Sequence, residues 1–124
     1  MATRNSTQQT PPALSGRLYG PRTGDHVYRW RKRPDGTAIL QASGEFDQDS
    51  IQRLTRALAD ARNDGATRIR LDLTGVTFAD STFLNTLLRA NRPPPALVLI
   101  GPLPHHLHRL FALTGTTTLF HYDP

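Results

Sequence analysis

The sequence contains no cysteine, which excludes disulfide bonds, thiol nucleophiles and zinc sites built on cysteine. Lys32 is the only lysine and Glu45 the only glutamate, although the chain has fifteen basic and ten acidic residues. This preference for arginine and aspartate is typical of a GC-rich bacterial genome. No apolar run approaches the roughly 18–20 residues that span a bilayer. The opening "MATRNSTQQTPPALSG" lacks the apolar segment of a signal peptide, so we expect a cytoplasmic protein with no membrane partner.

The length of 124 residues fits one domain and leaves no room for a second core. Residues 1–24 are rich in Thr, Ser, Gln, Pro and Gly and show no hydrophobic periodicity, which is typical of disorder. We therefore predict a disordered or weakly ordered tail at 1–24, with at most a weak strand near Arg17–Tyr19. The folded domain is predicted at 25–124.

The net charge of +5 raises the question of nucleic-acid binding. The densest basic run is Arg29, Arg31, Lys32 and Arg33, which adjoins a predicted turn at 34–36. Two interpretations stay open: solvated charges at the end of a hairpin, or a patch for phosphate or an acidic partner. No nucleic-acid recognition motif accompanies the run, so we expect no direct nucleic-acid partner.

Three strands are predicted in the first two thirds of the chain. Segments 26–32 and 37–44 alternate in polarity on either side of the turn, which indicates a β-hairpin. Segment 68–76 alternates strictly, with apolar side chains at every second position. Strict alternation indicates a strand that is buried on one side only, so we expect helices to cover mainly one face of the sheet.

An amphipathic helix is the clearest element and is predicted within 45–65. Asp47 or Asp49 is expected to cap its start, and Gly65 supplies a left-handed stop. Spacings of three, four and seven residues give it one apolar stripe. The stripe consists of Ile51, Leu54, Ala57, Leu58 and Ala61.

Helices and strands alternate through the rest of the chain. A helix at 83–91 ends before the prolines at 93–95, and the apolar run at 96–101 predicts a central strand. A helix at 104–115 is followed by an edge strand at 116–122. The core stripe of that helix consists of Leu103, Leu107, Leu110, Phe111 and Leu113 or Thr114. The predicted class is α/β: a small mixed β-sheet with helices packed mainly on one face.

The sequence offers no convincing catalytic or metal-binding set. In "HHLH", His105 and His108 share a helix face while His106 points about 100° away, so only two of them can converge. The usual zinc spacing with a nearby carboxylate is absent. No nucleophile elbow, Walker loop or carboxylate pair is present. We therefore expect no catalytic residue, no metal and no enzymatic activity.

The stretch "VTFADSTFLN" at 76–85 places a carboxylate and two hydroxyls where a strand passes into a helix. Asp80 or Ser81 can accept a backbone N–H bond there and stabilise the helix by about 1 kcal/mol. Helix capping alone would explain these residues. A hydroxyl at Ser81 that is held out for modification by another protein is the alternative.

Four stretches in the right order resemble the STAS domain, and specifically the bacterial anti-sigma-factor antagonists. "ASGEFDQDS" resembles the family's Gly-Glu-Leu-Asp segment. "RIRLDLTGVTFADSTFLNTLL" resembles its signature strand, loop and helix. "ALVLIG" matches the next strand, and "LHRLFALTGTTTLFHY" matches the helix and strand that follow. The resemblance covers 44–123 and implies a STAS-like fold.

The resemblance also implies a function in partner switching. Ser81 matches the phosphorylatable serine, Asp80 the aspartate before it, and Thr82 a position that is commonly Ser or Thr. In such proteins the unmodified antagonist binds an anti-sigma factor that is also a serine kinase, and so frees the sigma factor. The kinase, using ATP and Mg²⁺, phosphorylates the antagonist, which then dissociates. A phosphatase resets the switch, and the antagonist needs no cofactor of its own.

Phe83 departs from the family, which commonly has glycine at this position. Its ring could block a kinase, contact a different partner or pack into the core. A non-phosphorylated STAS-like scaffold is therefore one alternative function, and a weak nucleotide-binding STAS module is another. We expect a monomer or a weak dimer. The predicted partner-binding residues are Asp47, Asp80, Ser81, Thr82, Phe83 and Asn85.

Overall fold

One mixed sheet of six strands, in the order β1-β2-β3-β4-β5-β6, forms the centre of the computed structural model, which describes residues 16–92 and 96–123. The strands are β1 (Gly16–Tyr19), β2 (His26–Trp30), β3 (Thr37–Phe46), β4 (Arg68–Ala79), β5 (Leu97–Ile100) and β6 (His121–Asp123). β2 pairs antiparallel with β1 and with β3. From β3 to β6 all pairs are parallel, so strands that follow one another in the chain are neighbours in the sheet.

Three helices connect the parallel strands: α1 (Ile51–Asn63), α2 (Ser81–Ala90) and α3 (His105–Thr114). Crossovers between parallel strands are right-handed, so helices that each join a strand to its next neighbour lie on the same face of the sheet. On β4, Ile69, Leu71 and Leu73 are buried, whereas Arg70 and Asp72 on the other face are half-exposed. The predicted α/β class, with helices on one face, is confirmed.

The apolar stripe predicted for α1 packs into the core as expected. Its members Ile51, Leu54, Ala57, Leu58 and Ala61 are all buried. Gly65 follows the helix with φ of +88°, and the N–H groups of Gly65 and Ala66 bond back to the last turn. The left-handed stop is therefore confirmed, and it turns the chain into β4.

The weak strand allowed for near Arg17–Tyr19 is present as β1, which extends the sheet into the region that was predicted to be a disordered or weakly ordered tail. Tyr19 is buried, and its hydroxyl donates to Asp60 Oδ2 at 2.7 Å and accepts from Arg29 Nε at 3.0 Å. Burial, together with the hydrogen bond to Asp60, raises the pKa of Tyr19. The predicted boundary at residue 25 is wrong, because residues 16–24 belong to the folded domain; residues 1–15 lie outside the described residues.

The predicted strand at 116–122 is wrong over most of its length. Thr117–Leu119 form a 3₁₀ turn, and only His121–Asp123 pair with β5 at the sheet edge. The cause is local: Gly115 ends α3 with φ of +70°, and the N–H of residue 116 bonds back to Phe111, so the chain turns before it extends. Leu113 and Thr114 were the alternatives for the last position of the core stripe, and both are exposed; Leu113 is 80% exposed because it lies on the solvent side of α3.

Asn91 ends α2 and ties it to two other segments. It is buried, its Nδ2 donates to the Leu119 carbonyl at 2.8 Å, and its Oδ1 accepts from the Leu97 N–H at 3.2 Å. These bonds satisfy backbone groups that would otherwise be unpaired next to β5. The prolines at 93–95, predicted to end the helix, lie outside the described residues.

Two bulges alter the direction of the side chains near the end of β4. The pairing register with β3 shifts twice, and β4 carries one extra residue at each shift. As a result Val76 points inward and is buried, while Thr77 and Phe78 are exposed. The last pair, Phe46 opposite Ala79, ends both strands at the same level.

Two phenylalanine rings join the end of β3 to the start of α2. Phe46 and Phe83 are both 0% exposed, and their ring centroids lie 5.7 Å apart at an interplanar angle of 45°. Aromatic pairs of this geometry contribute about 0.5–1.5 kcal/mol beyond their buried area. Because Phe83 is the third residue of α2, this contact fixes the rotation of the first turn of the helix.

We expect Phe83→Ala to lower the free energy of unfolding by about 3–5 kcal/mol, because it leaves a cavity next to Phe46. Urea denaturation followed by circular dichroism measures the loss. Leu113→Ala on exposed α3 is the control and should change stability by no more than about 0.5 kcal/mol. Equal effects of the two substitutions would contradict a packed ring at Phe83.

Candidate functional site

Asp80 connects β4 to α2 and is the N-cap of the helix. Its backbone is extended, and its Oδ1 accepts the N–H of Thr82 at 2.9 Å and that of Phe83 at 3.2 Å. The carboxylate also lies at the positive end of the helix macrodipole. Of the two cap candidates in the sequence, Asp80 takes the role, and Ser81 does not.

Ser81 is the first residue of α2, and its side chain is exposed. Within the part of the chain that the structure describes, no hydrogen bond holds its hydroxyl to another residue. Asn85 follows four positions later, is exposed, and so lies on the same side of the helix. The hydroxyl of Ser81 is therefore exposed to solvent, and no described residue holds it in place.

Phe83 was predicted as a partner contact, and this prediction is wrong because its ring lies entirely in the core. Of the three roles that were open for the ring, core packing is the one that the structure shows. Since the ring points inward, it does not cover Ser81. Thr82 is half-buried, and its carbonyl accepts the hydroxyl of Thr86 at 2.9 Å, so its backbone is held within the helix.

Asp47 shapes the loop between β3 and α1. Its Oδ1 accepts the N–H of Asp49 at 2.9 Å and that of Ser50 at 3.1 Å, and these bonds lower the pKa of Asp47. The predicted cap is wrong, because the N-cap of α1 is Ser50, whose hydroxyl donates to the Glu45 carbonyl at 2.8 Å. Ser50 is buried between Asp47 and β3, which fixes the path of the loop.

The predicted site residues other than Phe83 converge on one edge of the sheet. Phe46 and Ala79 are the last paired residues of β3 and β4, and Asp47 and Asp80 directly follow them. Carboxyl ends of neighbouring parallel strands are the usual binding edge of open α/β sheets. Ser81 lies at the same edge, with Asn85 one helical turn away.

Phe78 is a candidate that the sequence reasoning missed. Its side chain is 46% exposed, and it lies three residues before Ser81. The signal was available: the inward positions 69, 71 and 73 of β4 set a parity that places position 78 on the outward face. Each of the two bulges before Phe78 reverses the alternation of side chains once, so together they leave Phe78 on the outward face.

Part of the basic run has a structural role at the C-terminus of α1. Lys32 Nζ donates to the Asp64 carbonyl at 2.6 Å, and Arg29 Nη1 lies 3.9 Å from the Asp64 carboxylate. Cations at this end of a helix meet unpaired carbonyls and the negative end of the macrodipole. Arg31 and Arg33 are exposed, as expected at a hairpin end.

Within residues 16–92 and 96–123, no group of three or more His, Cys, Asp or Glu side chains is arranged to hold a metal ion. None of the helices there is long and apolar enough to cross a membrane.

Comparison with known proteins identifies the family to which this chain belongs. The family model described as "Mlab, STAS domain" matches residues 31–121. The anti-sigma-B factor antagonist of Staphylococcus aureus is 31% identical over 88 residues, which are 68% of this chain and 81% of that protein. The chain therefore belongs to the STAS domain family, in the group that contains the anti-sigma factor antagonists.

Solved structures show the same fold. An anti-sigma factor antagonist from Mycobacterium paratuberculosis superposes with a TM-score of 0.62 at 24% identity, over 79% of this chain and 86% of that one. The anti-sigma factor antagonist SpoIIAA in its unphosphorylated form gives a TM-score of 0.57 at 18% identity, over 89% of each chain. The Bacillus cell fate determinant SpoIIAA in its phosphorylated form gives 0.54 at 18% identity, over 89% of this chain and 92% of that one.

We expect Asp80→Ala to lower the free energy of unfolding by about 1 kcal/mol, because two N–H groups of α2 lose their acceptor. Asp80→Asn should retain most of the stability, since an amide oxygen can accept the same bonds. Urea denaturation of both variants and the wild type measures the difference. An Ala variant as stable as the wild type would show that the cap contributes nothing.

Proposed function

We propose that this protein is an anti-sigma factor antagonist that binds an anti-sigma factor with serine-kinase activity and is released when that kinase phosphorylates Ser81. The observation that carries the proposal is the separation of roles at the start of α2. Asp80 caps the helix and Phe83 anchors it in the core, while Ser81 between them is exposed and its hydroxyl has no hydrogen-bond partner among the described residues. The family of the chain and the names of its relatives point to the same class of partner.

The transfer itself needs only the hydroxyl of Ser81 from this chain. The Ser81 oxygen attacks the γ-phosphorus of ATP bound with Mg²⁺ in the kinase, the bond to the bridging oxygen breaks, and ADP leaves. The hydroxyl proton passes to a base of the kinase. The new phosphate carries about −1.5 to −2 charges and three acceptor oxygens.

The fold should tolerate this charge. The phosphate would lie at the N-terminus of α2, where the positive end of the macrodipole favours an anion. SpoIIAA, whose fold is shared, has been solved in phosphorylated and unphosphorylated forms. Phosphorylation is therefore expected to change binding and leave the architecture intact.

The interface with the kinase should not tolerate the charge. A hydroxyl that receives the γ-phosphoryl group lies next to the nucleotide, so the new dianion remains close to the phosphates of ADP and would have to lose its water. A thousandfold weaker complex requires about 4 kcal/mol. Desolvating an unpaired charge next to other anions exceeds that amount.

The remaining parts of the proposal follow from this partner. The protein acts in the cytoplasm as a monomer or weak dimer, binds no cofactor and catalyses no reaction itself. A phosphatase returns Ser81 to its unmodified form. A constitutive scaffold was suggested by Phe83, and the burial of that ring removes the reason for it.

We expect the cognate serine kinase with ATP and Mg²⁺ to add one phosphate, at Ser81. Trypsin places this residue in the peptide 71–89, and fragmentation mass spectrometry can separate it from the neighbouring hydroxyls. Those are Thr74, Thr77, Thr82 and Thr86. Thr82→Ala should be phosphorylated as the wild type is, and Ser81→Ala should not. A phosphate found elsewhere, with Ser81 untouched, would refute the proposal.

We expect Ser81→Asp to bind the same kinase at least about tenfold more weakly than Ser81→Ala, because a carboxylate carries part of the charge of a phosphate. Isothermal titration of both variants and the wild type, in the presence of ADP and Mg²⁺, measures the affinities. Similar unfolding curves for the two variants confirm that only binding differs. Tight and equal binding by both would instead support the scaffold.

A further inference from the structure

One exposed apolar side chain lies next to the proposed phosphorylation site. Six large hydrophobic side chains are exposed over the described residues: Leu18, Trp30, Phe78, Leu113, Leu119 and Tyr122. Phe78 precedes Ser81 by three positions, a distance of at most about 10 Å along the chain. A single exposed ring is common on protein surfaces and does not by itself indicate a function. The residues near Phe78, however, do indicate one.

Several acidic residues lie at the strand ends near Phe78, although the chain has a net charge of +5. Glu45 lies directly opposite Phe78 in the sheet. Asp25 is held at the same place, because its Oδ1 accepts the N–H of Glu45 at 2.9 Å. Asp47 follows β3 and Asp80 follows β4 at this edge. The carboxyl edge of these two strands therefore carries an exposed ring within a group of acidic side chains.

The opposite ends of the same strands are basic. Arg68 begins β4 and lies opposite Thr37, which begins β3 next to the hairpin end with Arg31 and Arg33. At the acidic edge, Arg53 pairs with Asp25 at 3.9 Å. The basic hairpin end therefore lies at the opposite end of β3 and β4 from Ser81, and acidic residues follow both strands on the side of Ser81.

The ring of Phe78 is held outward by the backbone. The second bulge of β4 falls between Val76, which is buried, and Phe78, so the side chain turns away from the core that Val76 joins. Bulges commonly re-aim a side chain next to a functional site. The core does not need this ring, since Phe46 and Phe83 fill the space beneath the strand ends.

We propose that Phe78 is the apolar anchor of the interface with the anti-sigma factor, and that it enters an apolar pocket rimmed by basic side chains on that partner. The inference rests on the proposed function and names a contact within it. Buried aromatic anchors dominate many interfaces, and complementary charges around them speed association. Ser81 faces the nucleotide of the kinase and the acidic groups face the basic rim, so phosphorylation still weakens the complex.

The test is isothermal titration of the purified kinase that phosphorylates Ser81, with ADP and Mg²⁺, against a set of variants. Phe78→Ala and Phe78→Thr should each bind about tenfold or more weakly than the wild type. Phe78→Leu should keep most of the affinity because it keeps an apolar side chain. Leu113→Ala, also an exposed hydrophobic position but on α3, should bind as the wild type does. Threonine is a strong strand former, so weak binding by Phe78→Thr cannot be attributed to loss of the strand at this position.

Charge is tested separately with the wild type. Raising NaCl from about 50 to about 500 mM should weaken binding, because it screens the acidic edge from a basic rim. Glu45→Gln should lower the association rate constant and should change the dissociation rate constant by a smaller factor. Binding that is indifferent to salt and to Glu45→Gln would overturn the basic rim.

The failures of the two proposals are distinguishable. If Phe78→Ala and Phe78→Thr bind as the wild type does while Ser81→Asp does not, Phe78 is no anchor and the proposed function stands. If the wild type is not phosphorylated at Ser81 and binds no such kinase, the proposed function fails, and the role of Phe78 fails with it.

Discussion

Two phenylalanine rings meet beneath the edge where β3 and β4 end, and the arrangement of the surface above them follows from that contact. Phe46 closes β3 and Phe83 lies in the first turn of α2, so their packing sets the helix against the strand ends. When Phe83 points inward, the helical periodicity places Ser81 on the solvent side of α2. Asp80 then lies at the N-terminus of the helix, where it acts as the N-cap. The interior therefore determines which hydroxyl a partner can reach.

The distribution of charge matters more for this protein than its sum. A pI near 10.7 suggests an anionic partner. However, the edge with Asp47, Asp80 and Glu45 is acidic, and the dense basic run lies at the hairpin end, where Lys32 also caps the last turn of α1. Composition cannot reveal this separation, because it depends on which ends of parallel strands coincide.

Much of the fold could be predicted because its elements have strong local signals. The alternation in β4 and the stripe of α1 each reflect burial of one face, which sequence periodicity records directly. Position 83 could not be assigned, because a buried ring and an exposed ring are equally compatible with a helix start. β1 was underestimated because Tyr19 is held by contacts with Asp60, 41 residues away, and such contacts leave no local pattern. The turn at Thr117–Leu119 was missed because threonines also favour strands.

The Ser81 hydroxyl has no hydrogen-bond partner in the described part of the chain, and this has an evolutionary consequence. A side chain on which neither the core nor the helix cap depends can be exchanged for alanine or glycine with little selection against it from folding. Under the proposed function, descendants of this gene could lose responsiveness to a kinase through one codon change, keep the same scaffold, and remain permanently active. The proposed regulation at this position would therefore be easier to lose or regain over time than the domain that presents it.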